Sequence, residues 1–314
     1  MFKQIIAYVL LCICPMVAFA EKPNETTSED MQIVPLAQYE NLSLTSQQIK
    51  SSSGGLLINS EDMMFMGLYT QHELEKPLQY AFPNRYHTID MLLDIKDGRD
   101  QYLGIFKSES DQPVNGGINT FQTAAVYGYE MINQPHLSVV LGGGIALGNF
   151  GVKTPGGKNW PLIPVPLARV NYLTDWLDAK FEFLTSPNLS FTLAPKGHVR
   201  LIGDVRMDQM RDSRDIIYEV ALAYRPYSAQ DEMGDFAGVS LGFKNNNYGA
   251  FQLGHQDEKE SIEVHYKAVF VEVDVSVLKI TAGYAFDGRS LYRETEKQDL
   301  GKGKYLSIQA MYPF

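Results

Sequence analysis

Beyond about residue 87, apolar side chains return at every second position in one short segment after another, and this restricts the fold more than any other feature. Residues i, i+2 and i+4 share one face of a strand, so each segment has an apolar face and an opposite face of different character. Ile89, Met91, Leu93 and Ile95 oppose Asp90, Asp94 and Lys96. Phe121, Thr123, Ala125, Tyr127 and Tyr129 form a stripe, and the segment from Leu137 to Leu147 places Gly142 and Gly144, with Gly148 beyond, on its other face. Ala179, Phe181 and Phe183 alternate with Lys180 and Glu182, and Ile216, Tyr218, Val220, Leu222 and Tyr224 oppose Glu219 and Arg225. Helices repeat at 3.6 residues and hold no such stripes, so the chain reads as all-β.

The second face is often charged rather than merely polar. Val199, Leu201 and Val205 oppose Arg200, Asp204 and Arg206. Ile262, Val264 and Tyr266 oppose Glu263, His265 and Lys267, and Val271, Val273, Val275 and Val277 oppose Glu272 and Asp274. A wet, ion-paired lumen inside a lipid-facing wall has this pattern. A soluble β-sandwich also alternates, but tyrosines and phenylalanines cluster near the strand ends, as interfacial girdles do. The expected fold is a transmembrane antiparallel up-and-down β-barrel of about twelve strands, an even number as in bacterial single-chain barrels. On this reading Arg200, Asp204, Arg206, Glu219, Arg225, Glu263, His265, Lys267, Glu272 and Asp274 all line the lumen. Their mixed signs predict cross-strand ion pairs and a narrow interior rather than a single-sign, ion-selective ring.

Lys3, the apolar run from Ile5 to Val17 and Ala18-Phe19-Ala20 make the basic, apolar and cleavage regions of an export signal over residues 1–20. The run is shorter than the ~20 residues of a spanning helix. Both cysteines, Cys12 and Cys14, lie within it, so the exported chain is expected to have no disulfide, thiolate metal site or cysteine nucleophile. Residues 21–55 are rich in Ser, Thr, Gln and Asn and end in Ser51-Ser-Ser-Gly-Gly55; they read as a flexible polar leader. The barrel is then expected over residues 56–314. A net charge of -10 argues against nucleic acid as a partner. A parity change between Val271–Val277 and Ile280–Phe286 predicts a turn or bulge near Leu278-Lys279. Pro161, Pro164 and Pro166 predict a strand that starts late or sits at a break in the wall.

The last residues place Leu306, Ile308, Ala310, Tyr312 and Phe314 on one face. This ending resembles the terminal strand of outer-membrane β-barrels, whose final Phe is read by the barrel assembly machinery. The resemblance implies the bacterial outer membrane, with its lipids and that machinery as partners. Pro164-Val-Pro166, Pro187, the Ile216–Arg225 stripe with Arg225-Pro226, and Ala282-Gly-Tyr-Ala-Phe286 resemble an uncharacterised family of bacterial outer-membrane β-barrel proteins. Asn159-Trp160, Ile163-Pro-Val-Pro166 and Val170-Asn-Tyr172 are similar to a strand of lipid A palmitoyltransferase barrels. The catalytic His and Asp-Ser pair of those enzymes precede that strand, whereas Asp212-Ser213 follows it here, so no site is carried over.

His72, His87, His136, His198, His255 and His265 show no metal-ligand spacing, and no nucleophile elbow or phosphate loop is present. No cofactor or metal is expected, and the catalytic residues of any enzyme are unknown. The expected function is a monomeric barrel, structural or weakly pore-forming for small polar solutes. The alternative is an outer-membrane enzyme that transfers or removes acyl groups of lipid A or phospholipid.

Overall fold

The computed structural model describes residues 31–75, 83–113, 118–148, 150, 160–184, 186–207, 216–226, 237–252, 261–292 and 296–312. The strands are β1 (Gln32–Leu44), β2 (Gln48–Asn59), β3 (Met63–Leu74), β4 (Arg85–Asp97), β5 (Asp100–Ser110), β6 (Phe121–Gln134), β7 (Leu137–Gly148) and β8 (Leu162–Leu173). They continue as β9 (Leu177–Phe183), β10 (Pro187–Leu193), β11 (Val199–Met207), β12 (Ile216–Tyr224), β13 (Ala237–Gln252), β14 (Ser261–Val275), β15 (Leu278–Tyr292) and β16 (Glu296–Met311). Each pairs antiparallel with its sequence neighbours, and β1 pairs with β16, so the sheet closes into a barrel with no free edge strand.

The count corrects the expected twelve to 16. Part of the difference comes from the segment read as a leader. Residues 32–55 build β1 and much of β2, and the Ser-Gly run is paired on both sides. Ser51 Oγ lies 2.6 Å from His72 Nδ1, and Ser53 Oγ lies 2.8 Å from Thr70 Oγ1. Small residues with weak strand propensity are held there by two ladders rather than by their own preference. The proposed export signal lies outside the described residues.

The two ends of the barrel differ. One holds both ends of the ladder and the tight turns at 60–62, 98–99, 135–136, 174–176 and 276–277. The other, here called distal, holds most of the longer connections, at 75–84, 111–120, 149–161, 208–215 and 253–260. The turn expected near Leu278-Lys279 falls at Ser276-Val277, where Ser276 takes φ 51° and lets Val275 pair with Leu278.

The outer face is apolar. Tyr102, Tyr127, Leu141, Ile145, Leu162, Leu222, Leu241, Val271, Val273 and Tyr284 are all exposed there. Leu306, Ile308 and Ala310 pair with Asn41, Tyr39 and Ala37 on the same face; Phe314 lies outside the described residues. Gly142 and Gly144 turn inward, where a Cβ would stand 2.0 Å from the carbonyl oxygens of Tyr127 and Ala125 respectively. These glycines let β6 and β7 approach closely.

Candidate functional site

The lumen is the candidate site, and its two flanks differ in chemistry. Cross-strand partners share a face, so the ladder itself assigns the inward residues. One row runs Arg200, Ala223, Ser240, Glu272, Thr281, Ser307, Glu40, Ser51 and His72. A second runs Asp204, Glu219, Lys244 and Ala268. Arg206 and Asp274 lie on the same face, and Arg225 reaches Asp274 at 2.8 Å. Lys279 stands 3.3 Å from Glu272 and 3.8 Å from Asp274, and Thr281 donates to Glu272 at 3.0 Å. β11–β15 therefore carry a mixed-sign, cross-linked inner wall.

Glu263, His265 and Lys267 do not join this set, which corrects their expected place in the lumen beside Glu272 and Asp274. The register shifts around β14 insert residues in β13 and β15, not in β14 itself. Odd and even positions of β14 thus never exchange faces, and these three share the face of Val269–Val275. His265 Nε2 lies 3.0 Å from Glu263, both buried, and Lys267 pairs with Asp287 at 2.7 Å.

Several inward charges were missed in the sequence. Lys244 is buried with its ammonium 3.8 Å from the centre of the Tyr305 ring and with Phe270 and Tyr266 further off, a cation–π cage. Tyr305 in turn donates to Glu40 at 2.9 Å. Across the lumen, Arg169 binds Glu182 (Nη2–Oε2, 2.6 Å) and Asp94 (Nη1–Oδ2, 3.0 Å), joining β4, β8 and β9. Arg169 lies between Ala168 and Val170 in a proline-rich stretch, where its alternation was masked.

Apart from Arg169 and Glu182, the flank from β6 to β9 is mostly apolar toward the distal end, whereas β4 and β5 turn Asp90, Lys107 and Glu109 inward there. Leu103, Ala124, Val126, Val140, Ala146, Val165, Leu167 and Leu184 form one buried cluster. Beside it a cavity of about 440 Å³ opens between β3, β4 and β5, inside the roughly 300–1,000 Å³ range of ligand pockets. Met66, Leu68, Leu92 and Ile105 form its apolar side; Asp90, Lys107, Glu109 and Arg206 bring charge to it.

The distal mouth is partly closed by the chain itself. β13 and β5 stand on opposite sides of the ring, eight strands apart in either direction, yet Gln252 pairs with Ser110. The β13–β14 register shifts between Asn247 and Gly249, and β14–β15 shifts at the same height. Bulges bend strands, and here they lean the upper hairpin over the lumen. Phe251 packs on Tyr86 (4.6 Å, stacked) and His72 (5.0 Å). Ile262, Val264 and Tyr266 join Leu42, Ile49, Leu74 and Tyr86 in a buried cluster at the mouth.

His72 has the Ser51 hydroxyl 2.6 Å from Nδ1 and the Thr88 hydroxyl 2.9 Å from Nε2. His87 bonds Tyr69, and His136 and His198 bond the carbonyls of Leu173 and Arg225. Among the described residues no group of His, Cys, Asp and Glu is arranged to hold a metal ion. Asp212-Ser213 and His255 lie outside the described residues.

No family model matches the chain, and no curated protein matches it. Among solved structures it is similar to OccAB3 of Acinetobacter baumannii, at 7% identity over 90% of this chain and 99% of that one, with a TM-score of 0.43. It is also similar to OccK5 (OpdH) of Pseudomonas aeruginosa, at 13% identity over 90% and 98%, TM-score 0.34. A BenF-like porin from Pseudomonas fluorescens Pf-5 matches at 10% identity over 90% and 98%, TM-score 0.35. Identities this low carry no residue-by-residue correspondence, and the barrel rests on its own closed ladder. The similarity to lipid A palmitoyltransferase barrels is not shown.

Proposed function

We propose that this chain is a bacterial outer-membrane β-barrel protein, structural or weakly permeable to small polar solutes through a narrowed lumen. One observation carries the reading: a closed, even-numbered ladder turns Val269, Val271 and Val273 outward and Glu272, Asp274 and Arg225 inward. In hydrocarbon every main-chain group must be bonded within the protein, which a closed barrel achieves. Most turns at the end that holds both ends of the ladder are short, the 225–236 connection excepted, and suit the periplasmic side, while most of the longer connections lie at the distal end and suit the outside. Residues 1–20 then direct export, and the Leu306–Phe314 face meets outer-membrane lipid and the assembly machinery. The barrel works as a monomer without a cofactor.

The path is narrow because β13–β14 arches to β5 and the inner charges are tied to one another. Folded protein in planar bilayers is expected to give small, stable conductance steps. Complete electrical silence would leave the structural role alone.

A further inference from the structure

The outer face of β14–β16 changes character in one step toward the distal end. On β14 the outward row runs Val275, Val273, Val271 and Val269 and then turns to Lys267. On β15 it runs Leu278, Ile280, Ala282, Tyr284 and Phe286, with Arg289 beyond the bulge. On β16 it runs Ile308 and Leu306 and turns to Lys304 and Lys302. The register sets the three changes at one height, because Tyr284 pairs with both Val269 and Lys304, and Phe286 pairs with Lys267. Ring contacts mark the same level: Phe286 lies 6.1 Å from Phe243, which lies 5.7 Å from Tyr218. Apolar belt, aromatic row and bases thus follow in the order of hydrocarbon, interface and headgroup.

The bases of this patch exceed the acids beside them. Lys267 is held by Asp287 at 2.7 Å, and Asp299 stands opposite Arg289 across the ladder. Lys302 and Lys304 are exposed on one face of β16, and no ion pair among the described residues includes them. Elsewhere on the distal outer rim the bases are neutralised, Lys50 by Glu75 and Arg85 by Glu73. At the opposite end of the same three strands the outward residues are Val275, Leu278, Ala310 and Tyr312. In a chain of net charge -10 the patch is a local reversal of sign. A zwitterionic headgroup brings no net charge to meet it, whereas each phosphomonoester brings about two negative charges and strong acceptor oxygens.

We propose that Lys302 and Lys304, with Arg289 and Lys267 beside them, form a docking surface for the phosphomonoester groups of an outer-leaflet lipid. The surface rests on the membrane reading above and adds a lipid partner to it. The full exported chain, folded in non-ionic detergent micelles, is titrated with lipid A bearing two phosphates, one phosphate or none, and retained lipid is read by native mass spectrometry. Retention is expected to fall in that order. Each lysine weighs roughly fivefold in affinity for an anionic surface, so Lys302→Gln/Lys304→Gln should weaken the bisphosphorylated complex about 25-fold. Binding of the dephosphorylated lipid should not change. Arg289→Gln tests the same surface if the double variant fails to give an SDS-resistant barrel, and Lys50→Gln, on the paired rim, should bind like wild type. Equal retention of the three lipids, or wild-type binding by the Lys302/Lys304 and Arg289 variants, would overturn the surface. Full competition by excess inorganic phosphate would also overturn it, by assigning a site for the free anion. Val271→Cys in vesicles, protected from an impermeant maleimide, keeps the membrane reading intact in any of these cases; a reactive Val271→Cys would overturn both.

Discussion

Replacing Phe251 by Ala should open the distal mouth. Phe251 is 1% exposed and holds the leaning β13–β14 hairpin against Tyr86 and His72. Truncating a buried Phe to Ala costs roughly 3–5 kcal/mol in a packed core. The lower ladders of β12–β15 do not include this contact, so the loss should fall on docking of the hairpin rather than on closure of the barrel. At about 1.4 kcal/mol per factor of ten, the undocked population should rise on the order of 10²- to 10³-fold. Single-channel recording in planar bilayers should then show larger conductance steps, with Phe251→Leu between wild type and Ala. Retained resistance to SDS without heating would verify that each variant still forms the barrel. A folded Phe251→Ala barrel with wild-type conductance would refute the claim that this hairpin narrows the lumen.

Other substitutions test the walls. Arg169→Met leaves Asp94 and Glu182 facing one another without their shared cation; given partial exposure to the lumen it should lower stability in urea by about 1–3 kcal/mol, whereas loss of nothing measurable would show the triad to be incidental. Gly142→Ala and Gly144→Ala should fail to give SDS-resistant barrels, because each Cβ meets a β6 carbonyl at 2.0 Å, while Gly143→Ala, whose nearest neighbour is 3.3 Å away, should fold. Lys244→Met should cost about 2 kcal/mol through the lost ring contacts, read as a lowered midpoint of heat-induced unfolding. In the turn after β8, hydrogen bonding to Lys196 holds the Asp175 carboxyl below its ordinary 3.8. A depressed carboxyl stabilises above its unfolded pKa and loses that contribution as pH falls through the folded one, so NMR titration of Asp175 should move upward in Lys196→Met.

The outer stripes were legible because outward-facing side chains alternate regularly with inward ones, as in Phe121–Tyr129 and Leu306–Ala310. β1 and β2 were not, because Ser51–Gly55 has linker composition and becomes strand only through its neighbours: Ser51 bonds His72, and a Cβ at Gly55 would lie 2.3 Å from the Gly67 carbonyl. The inner set was legible where one strand alternates regularly, as for Arg200, Asp204 and Arg206. It failed at Glu263–Lys267 because sequence cannot tell which strand of a pair carries the inserted residue. The crossing of β13 to β5 left no local signal, since the paired residues Ser110 and Gln252 are far apart in sequence.

The alternation of β14 offers the most direct test of a lipid-facing wall around a charged lumen. Single cysteines at Val271, Glu272, Val273 and Asp274 of the exported chain, folded into lipid vesicles, would be reacted with a membrane-impermeant maleimide. The account predicts labelling at Glu272 and Asp274 and protection at Val271 and Val273. Equal reactivity at all four, or the reverse alternation, would contradict it.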